Sequence, residues 1–187
     1  MSSSDVHLPH SDIAALNRLS TVMCILVAGG ALIALATLTW LWCSPRAIET
    51  MLAPRLGLAL VPIAVDAWTR AVGFLVSMVP MSVLLFLLHQ AYRLFDAYRL
   101  GLVFTDAAPI RLRRIGMGMI GLALLRPVTA TLLGVLLTLA NASGQRIVAI
   151  SISIDEYMIA ACGGLLLAIG HVMAEAKRIA DENGQII

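Results

Sequence analysis

The chain is poor in charge and in aromatic rings. Of its 187 residues only 13% are Asp, Glu, Lys or Arg and 5% are Phe, Trp or Tyr, and that charged share is about half that of an ordinary soluble domain. Thirteen cations against eleven acids leave a net charge of +2, too little for a phosphate-tracking surface, which excludes direct binding of nucleic acid. Cysteine is scarce too. Cys24, Cys43 and Cys162 stand apart from one another, with neither a disulfide framework nor the paired spacing of a zinc site. The sequence has no nucleophile elbow, no phosphate loop, no helix carrying paired His and Glu, and no carboxylate pair inside an apolar run. The expectation is a protein that is not an enzyme and that carries no metal or cofactor.

Apolar residues take up the remainder: 60% of the chain is hydrophobic and the mean hydropathy is +0.92. Four apolar runs, residues 19–42, 71–88, 115–139 and 157–173, each approach the ~20 residues that a helix needs to cross ~30 Å of hydrocarbon. The fold class expected is an all-α membrane protein, a four-transmembrane-helix bundle forming one integral membrane domain over 1–187 in the lipid bilayer. The first run is too long for a signal-peptide core and should remain as a membrane helix after a polar leader. Trp40 and Trp42 resemble an interfacial aromatic belt. Residues 44–70 carry Pro45, Pro54, Pro62 and several charges, so this segment should lie at the membrane surface, partly extended. Residues 89–114 form the loop between the second and third runs. Between Arg146 and Ile154, Val148, Ile150, Ile152 and Ile154 alternate with small or polar residues, which predicts a short outer-face β element paired with residues 58–65. The fourth run continues into an amphipathic helix to about Glu182, within a tail of residues 174–187.

Charge position gives orientation. The 89–114 loop holds Arg93, Arg99, Arg111, Arg113 and Arg114, which with Arg18, Lys177 and Arg178 make eight cations on one side. The other side has four: Arg46, Arg55, Arg70 and Arg146. By the positive-inside rule the loop, the N terminus and the C terminus are cytoplasmic.

The stretches Gly101-Leu102-Val103-Phe104-Thr105 and Leu112-Arg113-Arg114-Ile115-Gly116, and the closing segment from Glu175 to Ile186 with its Glu182-Asn183 pair, resemble those of a family of small bacterial four-span proteins catalogued as domain of unknown function 2975. The resemblance implies a bacterial inner-membrane protein, some relatives of which are encoded beside a small helix-turn-helix regulator. It supplies no catalytic residues.

Arg126, followed by Pro127, lies near the centre of the third run. A cation at mid-bilayer costs about 2.5 to 3.5 kcal/mol on insertion scales and by default faces protein or water. No acid lies within the four runs, so its expected partners are the Ala123 carbonyl freed by Pro127, the hydroxyls of Thr37, Ser77, Ser82 or Thr129, or trapped water. Either Arg126 stabilises a helix bend or it receives a polar or anionic solute. His89 and His171 lie near same-side ends of the second and fourth runs and are either helix-end caps or a ligand pair. Ala160, Gly164 and Ala168 repeat at four-residue spacing, a small-residue stripe for packing within the chain or between copies in a homo-oligomer. Arg111, Arg113 and Arg114, with Glu175, Arg178 and Glu182, form a candidate surface for anionic lipid or a cytoplasmic protein.

These residues point first to a non-enzymatic inner-membrane sensor or regulatory protein that contacts a helix-turn-helix regulator. The alternatives are a small transporter or pore accessory protein using Arg126, and a structural membrane oligomer. A cavity reaching Arg126 would favour transport, and a sealed bundle with an exposed tail surface would favour regulation.

Overall fold

The computed structural model describes residues 10–58, 60, 61, 63, 65–100, 107–139, 141 and 153–184. Four long helices dominate: α1, His10–Cys43; α2, Ala67–Arg99; α3, Ala107–Thr138; and α4, Ile154–Gly184. At 1.5 Å per residue each is about 45 to 50 Å long, well beyond a ~30 Å hydrocarbon core. Each contains a stretch long and apolar enough to cross a membrane, and Leu32, Ile33, Leu75, Leu124 and Leu165 point outward, each more than 60% exposed. In water such a surface would aggregate, whereas in lipid it is the solvated face. The chain is a multi-pass membrane protein.

Consecutive helices run antiparallel, and the extensive helix–helix contacts among the described residues are α1 with α2, α2 with α3 and α3 with α4. Close approach is set by small residues. The outer end of the Trp42 indole of α1 closes on Gly73 of α2, where a Cβ would sit 2.0 Å from it, and its Nε1 donates to Ser77 Oγ at 3.1 Å. Leu87 of α2 covers Gly118 of α3, and the backbones of Gly116 and Gly163 join α3 to α4. α1 and α4, the two ends of this row, make no extensive contact among the described residues.

The segment between α1 and α2, here called the cap, folds over one end of the row. Ser44 interrupts α1, Pro45 at a first helical position restarts it, and Pro45–Ala47, a π turn at Ile48–Leu52 and Ala53–Arg55 follow in succession. The turn closes in a Schellman motif: Leu58 N–H donates to Ala53 O, Gly57 N–H donates to Pro54 O, and Gly57 takes a φ of 73°, which only glycine adopts at no steric cost. Ile48, Ala53 and Leu58 then pack with Trp42 and with Leu133 and Leu137 of α3. This tethers α1 to α3 through the cap.

Several expectations change. Residues 48–55 of the surface segment are helical rather than extended, because burying Ile48, Ala53 and Leu58 on one side requires a helical turn. The 89–114 loop is helical over 89–99 and 107–114. Hydropathy marks where a helix leaves the apolar phase, not where it ends, and buried Gln90 and Leu94 keep α2 packed beyond that point. Trp42 is a buried core residue rather than part of a surface belt, whereas Trp40 is exposed. The β element at 146–154 lies outside the described residues except for Ser153 and Ile154, and Ile154 opens α4. Its expected partner, 58–65, contains no strand among its described residues. The tail helix is continuous with the fourth run, as its charge pattern predicts.

Candidate functional site

Pro127 sits inside α3, where its ring removes the hydrogen bond to the Ala123 carbonyl. The hydroxyls of Thr129 and Thr131 donate back to Leu125 O and Pro127 O, each at 2.9 Å, so both side chains are satisfied within α3. Opposite this turn α4 begins. Ser153 and Glu156 form a capping box: Asp155 N–H donates to Ser153 Oγ at 3.2 Å, while Glu156 Oε2 accepts from Ser153 N–H at 2.8 Å and also from the Ser153 hydroxyl. The first turn of α4 is thereby fixed, and the Glu156 carboxylate is held at the positive end of the helix.

The other oxygen of that carboxylate, Oε1, lies 3.8 Å from Arg126 Nε. Glu156 is nearly enclosed, its side chain 13% exposed, while Arg126 is 43% exposed. The contact lies about 18 Å short of the Thr138 end of α3, counted along the helix, so α4 starts well inside the length that α3 spans. A helix start at such depth is tolerated where it lines a polar cavity. One is present: a cavity of about 470 Å³ bounded by Arg55 of the cap, Arg126 and Pro127 of α3, and Ser153, Asp155 and Glu156 of α4. A second cavity, of about 530 Å³, adjoins it and lies between α1, the cap, α2 and α3, with Ile159 lining it from α4. Its wall is apolar, with Leu38, Leu52, Leu84, Leu122 and Ile159 among the lining residues, and Arg55 and Arg126 border it as well. The two arginines therefore stand where a polar and an apolar cavity meet.

Other candidate residues are distributed differently. Ser77, Ser82 and Thr129 donate to carbonyls of their own helices; the partner found for Arg126 is Glu156. His89 and His171 are both exposed and sit on α2 and α4, with α3 packed against both, so the antiparallel row does not make them a ligand pair. Gly164 and Ala168 are exposed and Ala160 is half-buried, and a Cβ at Gly164 would meet nothing. The packing face of α4 is one residue earlier in register, at Gly163 and Gly170. Arg111 donates to the Arg93 carbonyl, tying α3 to α2, and the Arg113 stem rests on Gly170. Arg114 is exposed. Arg178 pairs with Glu175 and Glu182 on the surface of α4. At this end Pro109 and Ile110 of α3 and Ala174, Lys177, Arg178 and Asp181 of α4 line a shallow groove, so the start of α3 and the end of α4 form one surface.

Sequence reasoning missed Arg55, Ser153 and Glu156. For the last two a signal was present: Ser153-Ile154-Asp155-Glu156 before an apolar run is a capping-box pattern, outweighed by the alternation of isoleucines just upstream. Nothing local marks Arg55, which reaches the site only because the cap folds back.

Over residues 61–187 the chain matches the family described as protein of unknown function (DUF2975). No curated protein and no solved structure matches it. The match covers α2, α3 and α4, and with it Arg126 and Glu156; the chain belongs to this family.

Proposed function

We propose that this family member is a non-enzymatic sensor or regulatory protein of a bacterial inner membrane, with both termini cytoplasmic. In this reading it binds a molecule in the Arg126 cavity and presents the start of α3 and the end of α4 to a cytoplasmic protein, for which a helix-turn-helix regulator is the kind of partner that the family resemblance implies. The observation that carries the reading is the reach of α4. A single unbroken helix holds Glu156 in its first turn and Lys177, Arg178 and Asp181 in the distant groove, about 32 to 38 Å further along. Arg113 against Gly170 and Gly116 against Gly163 hold α3 and α4 together over that distance, so a change at Glu156 has a stiff element through which to reach the tail.

A cavity that reaches Arg126 is the feature expected of the transporter alternative, and on that criterion the structure favours it. Against it, Leu87 on Gly118 and Gly116 on Gly163 pack tightly on the side of the cavity away from the cap, which suits a closed-ended pocket better than a path. The test is site-specific photo-crosslinking in native cells from Ile110 and from Asp181. A discrete heterologous protein adduct from both positions is expected, lost when residues 182–187 are deleted. Lipid adducts alone would overturn the reading, self-adducts would favour a structural oligomer, and solute flux in proteoliposomes would favour the transporter.

A further inference from the structure

We propose that the paired cavities bind a single-chain amphiphile with an anionic head, a long-chain fatty-acid carboxylate, with its head at Arg55 and Arg126 and its chain between α1, α2 and α3. This rests on the reading of the Arg126 cavity as a ligand site. Three observations define the ligand. First, the larger cavity offers a ligand almost no polar contact away from its arginine end: the Ser77 and Thr129 hydroxyls on its wall donate to the carbonyls of Gly73 and Leu125 in their own helices. A molecule polar along its whole length would lose its hydration there without replacement. Second, the arginine end offers a guanidinium not yet engaged: of the four charged groups around the smaller cavity, Arg55, Arg126, Asp155 and Glu156, Arg126 and Glu156 already face each other, which leaves Arg55 for an anionic head. No carboxylate lines the larger cavity, and among the described residues Arg55 has neither a hydrogen-bond nor an ion-pair partner. Glu156 is already engaged by Ser153 and Arg126. A guanidinium offers a planar donor fork that matches a carboxylate in two-point geometry. Third, a volume of about 530 Å³ lies in the lower part of the usual range for small-ligand sites, which suits one acyl chain better than the two of a membrane phospholipid.

The wall residues come from α1, the cap, α2, α3 and α4, so an occupant would touch every element of the fold. It would bridge α1 to α4, which otherwise make no extensive contact among the described residues. The cap brings Arg55 in, and its π turn at Ile48–Leu52 is a feature that recurs at functional sites.

The experiment is equilibrium binding of radiolabelled oleate to the full chain in nanodiscs of zwitterionic phosphatidylcholine, with empty discs as background. Saturable binding to one site is expected, weakened at least about tenfold by Arg55→Leu and by Arg126→Leu, with partial retention in Arg126→Lys. Arg55 lies on the cap without a described partner, so Arg55→Leu tests the head contact in a chain whose helix packing is untouched. Leu38→Trp, which fills the apolar cavity, should abolish binding. Oleate uptake no greater than in empty discs would overturn the proposal, as would equal competition by oleyl alcohol, which lacks the charge. Displacement of oleate by phosphatidylglycerol at equal mole fraction would assign the site to a bilayer phospholipid and overturn the single-chain assignment. Absent oleate binding with crosslinks retained at Ile110 and Asp181 would remove this inference alone. Oleate binding without those crosslinks would remove the sensor reading and leave the ligand.

Discussion

Arg70 Nε donates to the carbonyl oxygen of Trp42 at 2.9 Å, and Nη2 of the same guanidinium donates to the Cys43 carbonyl at 2.8 Å. The first turn of α2 thus satisfies carbonyls at the end of α1 that have no partner within their own helix. A positive group at a helix C terminus also opposes the negative end of the helix dipole. Arg70→Leu should therefore destabilise the protein by about 1.5 to 3 kcal/mol, the scale of hydrogen bonds to a charged group. Arg70→Lys should lose less, because the charge remains and only the two-carbonyl bridge is lost. Unfolding in detergent followed by tryptophan fluorescence measures both, and equal stability of all three proteins would contradict this account of the α1 end.

The two neighbouring glycines of α4 should behave differently. A Cβ at Gly163 would lie 2.8 Å from the Gly116 carbonyl oxygen and 3.0 Å from Met119 Cβ, whereas at Gly164 it meets nothing. Gly163→Ala should cost about 1 to 3 kcal/mol through overpacking, whereas Gly164→Ala should be neutral or stabilise by up to about 1 kcal/mol, the preference for Ala over Gly in an open helix interior. Denaturant titration in micelles would compare them, and the reverse order would restore Ala160, Gly164 and Ala168 as the packing stripe.

Trp42 and Trp40 provide a second contrast. Trp42 is 3% exposed and hydrogen-bonded to Ser77, while Trp40 is 53% exposed. Trp42→Ala should cost about 3 to 5 kcal/mol, the usual range for removing a buried aromatic, with Trp40→Ala near neutral. Gly73→Ala should mimic part of the Trp42 loss, since the added methyl would occupy the indole's place. Thermal unfolding of the three variants would show whether the indole holds α1 to α2.

Ser153 and Glu156 can be separated by substitution. Ser153→Ala removes the cap and should cost about 1 kcal/mol, with faster amide exchange over residues 154–157. Glu156→Gln keeps an acceptor for the Ser153 N–H but removes the charge facing Arg126, so exchange in that turn should stay close to that of the parent. Exchange mass spectrometry on both variants decides whether Glu156 acts mainly as a cap or mainly as the counterion; a frayed α4 start in Glu156→Gln would show that the ion pair, not the capping box, fixes the turn.

Orientation is open to direct labelling. With Cys43 replaced, a cysteine at Asn141 should react with an impermeant maleimide added outside intact cells, and one at Ile110 should not. Labelling at Ile110 alone would invert the topology derived from the distribution of arginines.

The sequence alone determined the four membrane helices, because crossing ~30 Å of hydrocarbon demands some twenty apolar residues in one run, a local property. It also determined the length of the fourth helix, since the charges at Glu175, Arg178 and Glu182 recur at helical spacing, and it singled out Arg126, because a cation in an apolar run is costly wherever the helix packs. What Arg126 faces was decided by the tertiary structure. Glu156 lies thirty positions away in the chain and outside the apolar run as hydropathy draws it, and it reaches Arg126 because α4 starts partway along α3. The packing face of α4 was also beyond local reading: Gly163 and Gly164 are chemically identical, and only the rotation of α4 against Gly116 tells them apart. Arg55 joins the site through the Schellman turn at Gly57 and the burial of Ile48 and Leu58 against α3. Those contacts link residues far apart in the chain, so helical or strand periodicity carries no trace of them.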